Sequence, residues 1–189
     1  EELLNLIHKS AIQTFNLFND LLLWARSHSG KLSFEPQEFV FKKICEDIVE
    51  NMRILASIKE ISIQCIMDED ITVFADLNML NTILRNLISN AIKFTNTGGQ
   101  ITVVAEHMHD EISIAVSDTG IGIDKKTLDN LFNMSQVHTK MGTNEEKGSG
   151  LGLILCKEFI ERHSGRISVE SEEGKGTTFS FTIPRHNEL

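Results

Sequence analysis

The sequence predicts an α+β fold, a two-layer sandwich in which a mixed sheet is covered on one face by helices, preceded by a helix suited to a bundle. Three observations point there. Segments of period-two alternation come in sequential pairs, segments of 3.6-residue periodicity lie between the pairs, and residues 1–27 space their apolar positions by three and four.

Leu4, Ile7, Ala11, Thr14, Phe18, Leu21 and Ala25 keep the spacing of a helix that meets others along a seam. Residues 1–30 therefore read as a separate helical element, ended by His28-Ser29-Gly30. It offers a self-association surface for a homodimer through residues 1–27, or packs as a terminal helix on its own domain. Residues 31–189 form the main domain. A linker over 28–39 carries Gly30 and Pro36, and a helix over 41–58 follows, with Ile44, Ile48, Met52 and Leu55 on one face. Residues 61–67 and 71–75 alternate around Asp68-Glu69-Asp70, which predicts a hairpin. Asp76 is a suitable N-cap for a helix over 76–95, ended by the turn Asn96-Thr97-Gly98-Gly99. Strands over 100–106 and 111–117 come next. A polar, glycine-rich segment covers 133–149, a length of loop usually reserved for functional lids. A helix over 150–163 and strands over 166–171 and 177–184 close the domain.

Composition narrows the function classes. Twenty-seven acidic against eighteen basic residues leave a formal charge of −9, which argues against a broad nucleic-acid surface but not against a local anion pocket. No apolar stretch approaches the ~20 residues that span a bilayer, and the N-terminal residues lack the order of a signal peptide, so a soluble, cytoplasmic chain is expected. Cys45, Cys65 and Cys156 are widely spaced and form no CxxC pair. They read as reduced, buried small hydrophobes, without a disulfide framework or zinc site.

The chemistry begins on the helix at 76–95. Leu77, Leu80, Leu84, Leu87 and Ala91 form its apolar stripe, while Asn86, Asn90 and Lys93, at i, i+4 and i+7, share another face. Two carboxamides and an ammonium suit a magnesium ion and phosphate oxygens, although solvated asparagines on an amphipathic helix would look the same. Asp118-Thr119-Gly120-Ile121-Gly122 puts a carboxylate at a strand end, able to accept an adenine amine hydrogen, with glycines that let backbone approach a flat base; a simple turn is the other reading. Gly148-Ser149-Gly150-Leu151-Gly152 opens a helix, where backbone N–H groups can converge on phosphate, or else forms a hinge. Gly174-Lys175-Gly176-Thr177-Thr178 is a third glycine turn, with hydroxyls able to share the adenine edge. Neither a P-loop nor a dinucleotide fingerprint fits, because no Gly-Lys-Ser/Thr follows the glycines and no first strand of a βαβ unit precedes them.

Asn-x-x-x-Asn-Ala-x-Lys-Phe at 86–94, Asp-x-Gly-x-Gly at 118–122, Leu-Phe at 131–132, Gly-Ser-Gly-Leu-Gly at 148–152 and Gly-Lys-Gly-Thr at 174–177 resemble, in order, the N, G1, F, G2 and G3 boxes of sensor histidine kinases. The resemblance implies their ATP-binding catalytic domain, in the fold shared with type II topoisomerases, heat-shock chaperones and mismatch-repair ATPases. It implies that Asn90 ligates magnesium, that Asn86 and Lys93 contact phosphates, that Phe94 lies against adenine and that Asp118 binds the adenine amine. Gly120, Gly122, Phe132, Gly148, Ser149, Gly150, Leu151, Gly152 and Thr177 complete the implied ATP site, and 133–149 would be its lid. Many such kinases carry a lid arginine near the F box; here Asn133 follows Phe132, and Lys140 or Lys147 would supply the charge. Residues 1–27 resemble the second helix of the dimerisation and phosphotransfer hairpin, ending in DLLLWAR. No phosphoacceptor motif accompanies it, so the residues are expected to be a fragment that serves a histidine helix of the parent kinase, either soluble or anchored to a membrane, and a response regulator receiver domain. A non-catalytic nucleotide-sensing or dimerisation module is the alternative. Water-using relatives carry a glutamate four residues before the magnesium asparagine; the asparagine at 86 fits transfer to histidine, whose imidazole needs no base.

Overall fold

The computed structural model describes residues 2–30, 32–133, 141–144, 146 and 150–185. Seven strands and five helices run in the order α1 (Glu2–His28), β1 (Gln37–Val40), α2 (Phe41–Ile58), β2 (Ser62–Ile66), β3 (Thr72–Ala75), α3 (Leu77–Phe94), β4 (Gln100–Met108), β5 (Glu111–Asp118), α4 (Lys125–Leu128), α5 (Gly152–Arg162), β6 (Ile167–Glu172) and β7 (Gly176–Pro184) among those residues. A five-stranded mixed sheet has the order β2-β4-β5-β7-β6, and β1 and β3 form a separate antiparallel ribbon.

The sheet is two-faced, as period-two alternation demands. Ile101, Val103, Ile112, Ile114, Val116, Phe179, Phe181 and Ile183 turn inward and are buried beneath α2, α3 and α5. Thr102, Val104, Ser113, Ala115, Ser180 and Thr182 lie on the opposite, half-exposed face. This is the expected two-layer α+β sandwich.

One pairing differs from expectation. Residues 61–67 and 71–75 do not form a hairpin: β2 pairs in parallel with β4, Ser62 opposite Gln100, and β3 pairs with β1, Gln37 opposite Ala75. Parallel partners need a long crossover, and here that crossover contains β3 and α3. The linker also holds a short strand, β1, that its composition did not announce.

Helix α3 is the centre of the helical layer. Leu80, Leu84, Leu87 and Ala91 are buried as expected, together with Met79, Ile83, Ile88 and Ile92, whereas Leu77 at the first turn remains exposed. Asp76 caps α3, its Oδ1 accepting from the Asn78 and Met79 N–H groups at 3.0 and 3.1 Å.

The neighbouring helices hold α3 at both ends. Helix α2 ends with Glu60 at φ 52 and Ile61 N–H bonded back to Ala56 O, and α5 ends with Ser164 at φ 59 and Gly165 N–H bonded to Ile160 O. Both are left-handed terminations made without glycine at the turning residue. The C-cap residues they leave, Lys59 and His163, are buried and point to α3. Lys59 Nζ donates to Ile92 O at 2.7 Å and Lys93 O at 3.0 Å, satisfying carbonyls that the helix end leaves open. His163 Nε2 accepts the Asp76 N–H at 2.9 Å while its Nδ1 bonds Phe159 O at 2.7 Å.

Helix α1 meets the core through Leu23 and Trp24. Ile7, Ala11, Thr14, Phe18, Leu21 and Ala25 of the expected seam are exposed, along with Phe15, Leu17 and Leu22. Among the described residues, no helix is long and apolar enough to cross a membrane.

Candidate functional site

A cavity of about 1230 Å³ opens between α3, the end of β5 and the start of α5, and continues towards α1. Asn86, Asn90, Lys93 and Phe94 from α3, Asp118 at the end of β5 and Gly122 beyond it, Gly150 and Gly152 at α5, and Thr177 of β7 line it. These residues are far apart in sequence and meet because α3 crosses the sheet opposite the end of β5.

Each wall has its own local cause. Asn86 Nδ2 donates to Thr82 O at 3.0 Å, a backbone bond one turn earlier that fixes the carboxamide. A Cβ on Gly152 would stand 2.4 Å from Asn86 Oδ1, so glycine lets α5 begin against that carboxamide. Lys93 Nζ lies 4.7 Å from the centroid of the Phe94 ring. Burial lowers the Lys93 pKa, opposed by the nearby Glu146.

Asp118 faces the helices because its register partner is Thr177, also on the inner face. Its Oδ1 accepts the Gly120 N–H at 2.8 Å. Burial pushes its pKa up to about 6, against the Gly120 and Thr177 backbone bonds that stabilise the charge. The two threonines of the third glycine turn part company: Thr177 lines the cavity, its hydroxyl 2.9 Å from Ser171 Oγ, whereas Thr178 bonds Ser117 Oγ across the sheet at 2.9 Å and does not line it.

Gly120 is buried behind Asp118, where a Cβ would meet Phe94 O at 2.4 Å. Gly122, at φ 68, approaches Glu172 O so closely that a side chain has no room. Phe132 packs on the core edge, and Leu151 is the N-cap residue of α5; neither lines the cavity. Lys140, Lys147, Gly148 and Ser149 lie outside the described residues.

Two charged residues outside the motifs meet at the cavity. Lys59 and Glu146 both line the cavity, and Lys59 Nζ reaches Glu146 Oε1 at 3.3 Å. Thr143 N–H donates to Lys93 O at 3.0 Å and its hydroxyl to Thr95 O at 2.9 Å, so residues 141–146 of the expected lid, where described, return to the C-terminal end of α3. A lysine after a helix has no sequence mark that it will turn inward.

The cavity on this sandwich is lined by glycines, with carboxamides and an ammonium on one wall and a half-buried carboxylate on another. The chain belongs to the histidine kinase-, DNA gyrase B- and HSP90-like ATPase family, whose model matches residues 75–187. Its curated relatives include the adaptive-response sensory kinase SasA of Synechococcus elongatus, 37% identical over 86% of this chain and 42% of that protein. The sensor histidine kinase RcsC of Escherichia coli is 35% identical over 97% of this chain and 20% of that protein. The chain thus spans less than half the length of these relatives. Among solved structures, the catalytic domain of histidine kinase ThkA superposes with a TM-score of 0.70 at 27% identity, covering 80% of this chain and 96% of that one. Full-length ShkA, solved in complex with AMPPNP, superposes with a TM-score of 0.80 at 25% identity over 97% of this chain and 38% of that one.

Proposed function

We propose that this chain is the catalytic part of a sensor histidine kinase, binding ATP and transferring its γ-phosphoryl group to a histidine outside these residues. The observation that carries the reading is the shared cavity of Asn86, Asn90, Lys93 and Asp118, together with the kinases among the relatives. Asp118 accepts the adenine amine hydrogen, and Phe94 lies against the base. Lys93 and the N-terminus of α5 draw the phosphates towards Asn86 and Asn90.

Magnesium fits this donor set. Among the described residues no cluster of three or more metal-binding acids, histidines or cysteines exists. One carboxamide oxygen, from Asn90, with phosphate oxygens and water, suits an ion that keeps most of its waters. When bound, magnesium neutralises charge developing on the phosphates. No carboxylate stands at 86 to deprotonate water, so the site favours an imidazole acceptor over hydrolysis.

Residues 1–30 are the second helix of a dimerisation and phosphotransfer hairpin, and their exposed seam is the surface for its partner helices. Response regulator aspartates receive the phosphate from the histidine: ThkA has been solved with its response regulator TrrA. The chain works in the cytoplasm, where ATP is held. Mixing it with a separate segment bearing a phosphoacceptor helix, magnesium and γ-labelled ATP should yield an acid-labile phosphohistidine; tight ATP binding without transfer would favour a nucleotide-sensing module.

A further inference from the structure

Cys45 and Cys65, twenty residues apart in sequence, bring their sulfurs to 3.2 Å. Cys45 sits in the middle of α2 and is fully buried. Cys65 belongs to β2, an edge strand of the sheet, and is only partly buried. It shares the inner side of β2 with Ile63. Two sulfurs so close, one in a fully buried residue of α2 and one in a half-buried residue of an edge strand, have the arrangement of a resolving and an attacking thiol. Cys156 is remote from them, its Sγ 3.8 Å from Ile83 O in α3.

We propose that Cys45 and Cys65 are an oxidation site for hydrogen peroxide, closing to an intramolecular disulfide that staples α2 to β2. Cys65 is the attacking residue. The hydrogen bond from Cys45 holds its thiol below the ordinary value, with help from Lys42 and against partial burial and Glu46. The same hydrogen bond, together with burial, pushes Cys45 up and keeps it a thiol until its turn.

In the first step the Cys65 thiolate attacks one peroxide oxygen; the O–O bond breaks, hydroxide leaves and takes up a proton as water, and Cys65 becomes a sulfenic acid. In the second, Cys45 Sγ attacks the Cys65 sulfur and the S–O bond breaks. Hydroxide departs with the Cys45 proton as a second water, and the S–S bond forms. Two thiols have lost two electrons to one peroxide, and a small-molecule thiol reverses the change by exchange.

The test is peroxide treatment of the folded chain, followed by intact mass and peptide mapping. A loss of about 2 Da, reversed by dithiothreitol and mapped to a Cys45–Cys65 peptide, is expected. Cys156→Ser should retain that loss, Cys65→Ser should abolish it, and Cys45→Ser should leave a sulfenic acid at Cys65 that dimedone traps. A disulfide involving Cys156, a disulfide between chains, or an unchanged mass would each overturn the proposal. Mapping of the unsubstituted chain decides the matter even where a serine variant does not fold.

Discussion

Lys59→Met removes a buried ammonium while keeping most of its hydrocarbon stem. The side chain is 3% exposed and donates to Ile92 O, Lys93 O and Glu146. Ile92 O, two residues from the end of α3, loses a charged donor, at a cost of about 1.5–3 kcal/mol. Lys93 O keeps the Thr143 N–H, so its loss is about 0.5–1 kcal/mol. The Glu146 side chain is 36% exposed and rehydrates, adding about 0–1 kcal/mol. The variant should therefore lose about 2–5 kcal/mol, which at an m-value of about 2 kcal/mol/M moves the urea midpoint down by about 1–2.5 M. Glu146→Gln should move it by less than about 0.5 M. Equal shifts in the two variants would place the energy in the ion pair and refute the helix-end argument. A Lys59→Met shift under about 0.3 M would refute it as well.

Other consequences can be measured alongside. Asn90→Ala should abolish the magnesium dependence of ATP binding with the fold intact by circular dichroism. Gly152→Ala displaces the Asn86 carboxamide rather than backbone, so titration calorimetry should show ATP affinity falling about tenfold while the unfolding free energy changes by less than about 1 kcal/mol. Asp118 protonates near pH 6, and losing its charge weakens the bond to the adenine amine; the Kd should rise about fivefold more between pH 7.5 and 5.5 than in Asp118→Asn. His163 has a depressed pKa, because burial outweighs its bond to Phe159 and the Asp76 charge. The unfolded state then binds more protons, so the His163 contribution is full above the ordinary histidine value of about 6.5 and is lost as pH falls below it. Asp118 acts in the opposite direction, so the difference between native and His163→Gln unfolding curves across pH isolates the histidine.

Much of the architecture was legible because it is local. The 3.6-residue periodicity of 41–58 matches the observed α2, and Asp76 marked the start of α3 by its own hydrogen-bonding chemistry. What escaped was non-local. The acidic turn at 68–70 looks like a hairpin corner, yet the partner of β2 lies beyond α3, and parallel pairing leaves no nearby signal. Leu55, assigned to the inner face of α2, is 54% exposed, and Ala56 takes its place in the core. Strand β1 is four residues with mostly exposed side chains, too short and too polar for a visible alternation. Asn86, Asn90 and Lys93 were readable from their helical spacing and Phe94 only through the family resemblance, whereas Lys59, Glu146 and the approach of Cys45 to Cys65 depend on where distant segments happen to meet.

The clamping of α3 by Lys59 at one end and His163 at the other has a mechanical consequence. A helix pinned at both termini can neither ratchet along its axis nor roll without breaking a buried bond. Asn86, Asn90 and Lys93 thus ride on a fixed shaft, and any movement that accompanies nucleotide exchange must be absorbed elsewhere, in segments with fewer buried attachments. Amide exchange should report this directly, with the middle turns of α3 among the slowest amides already in the absence of ATP.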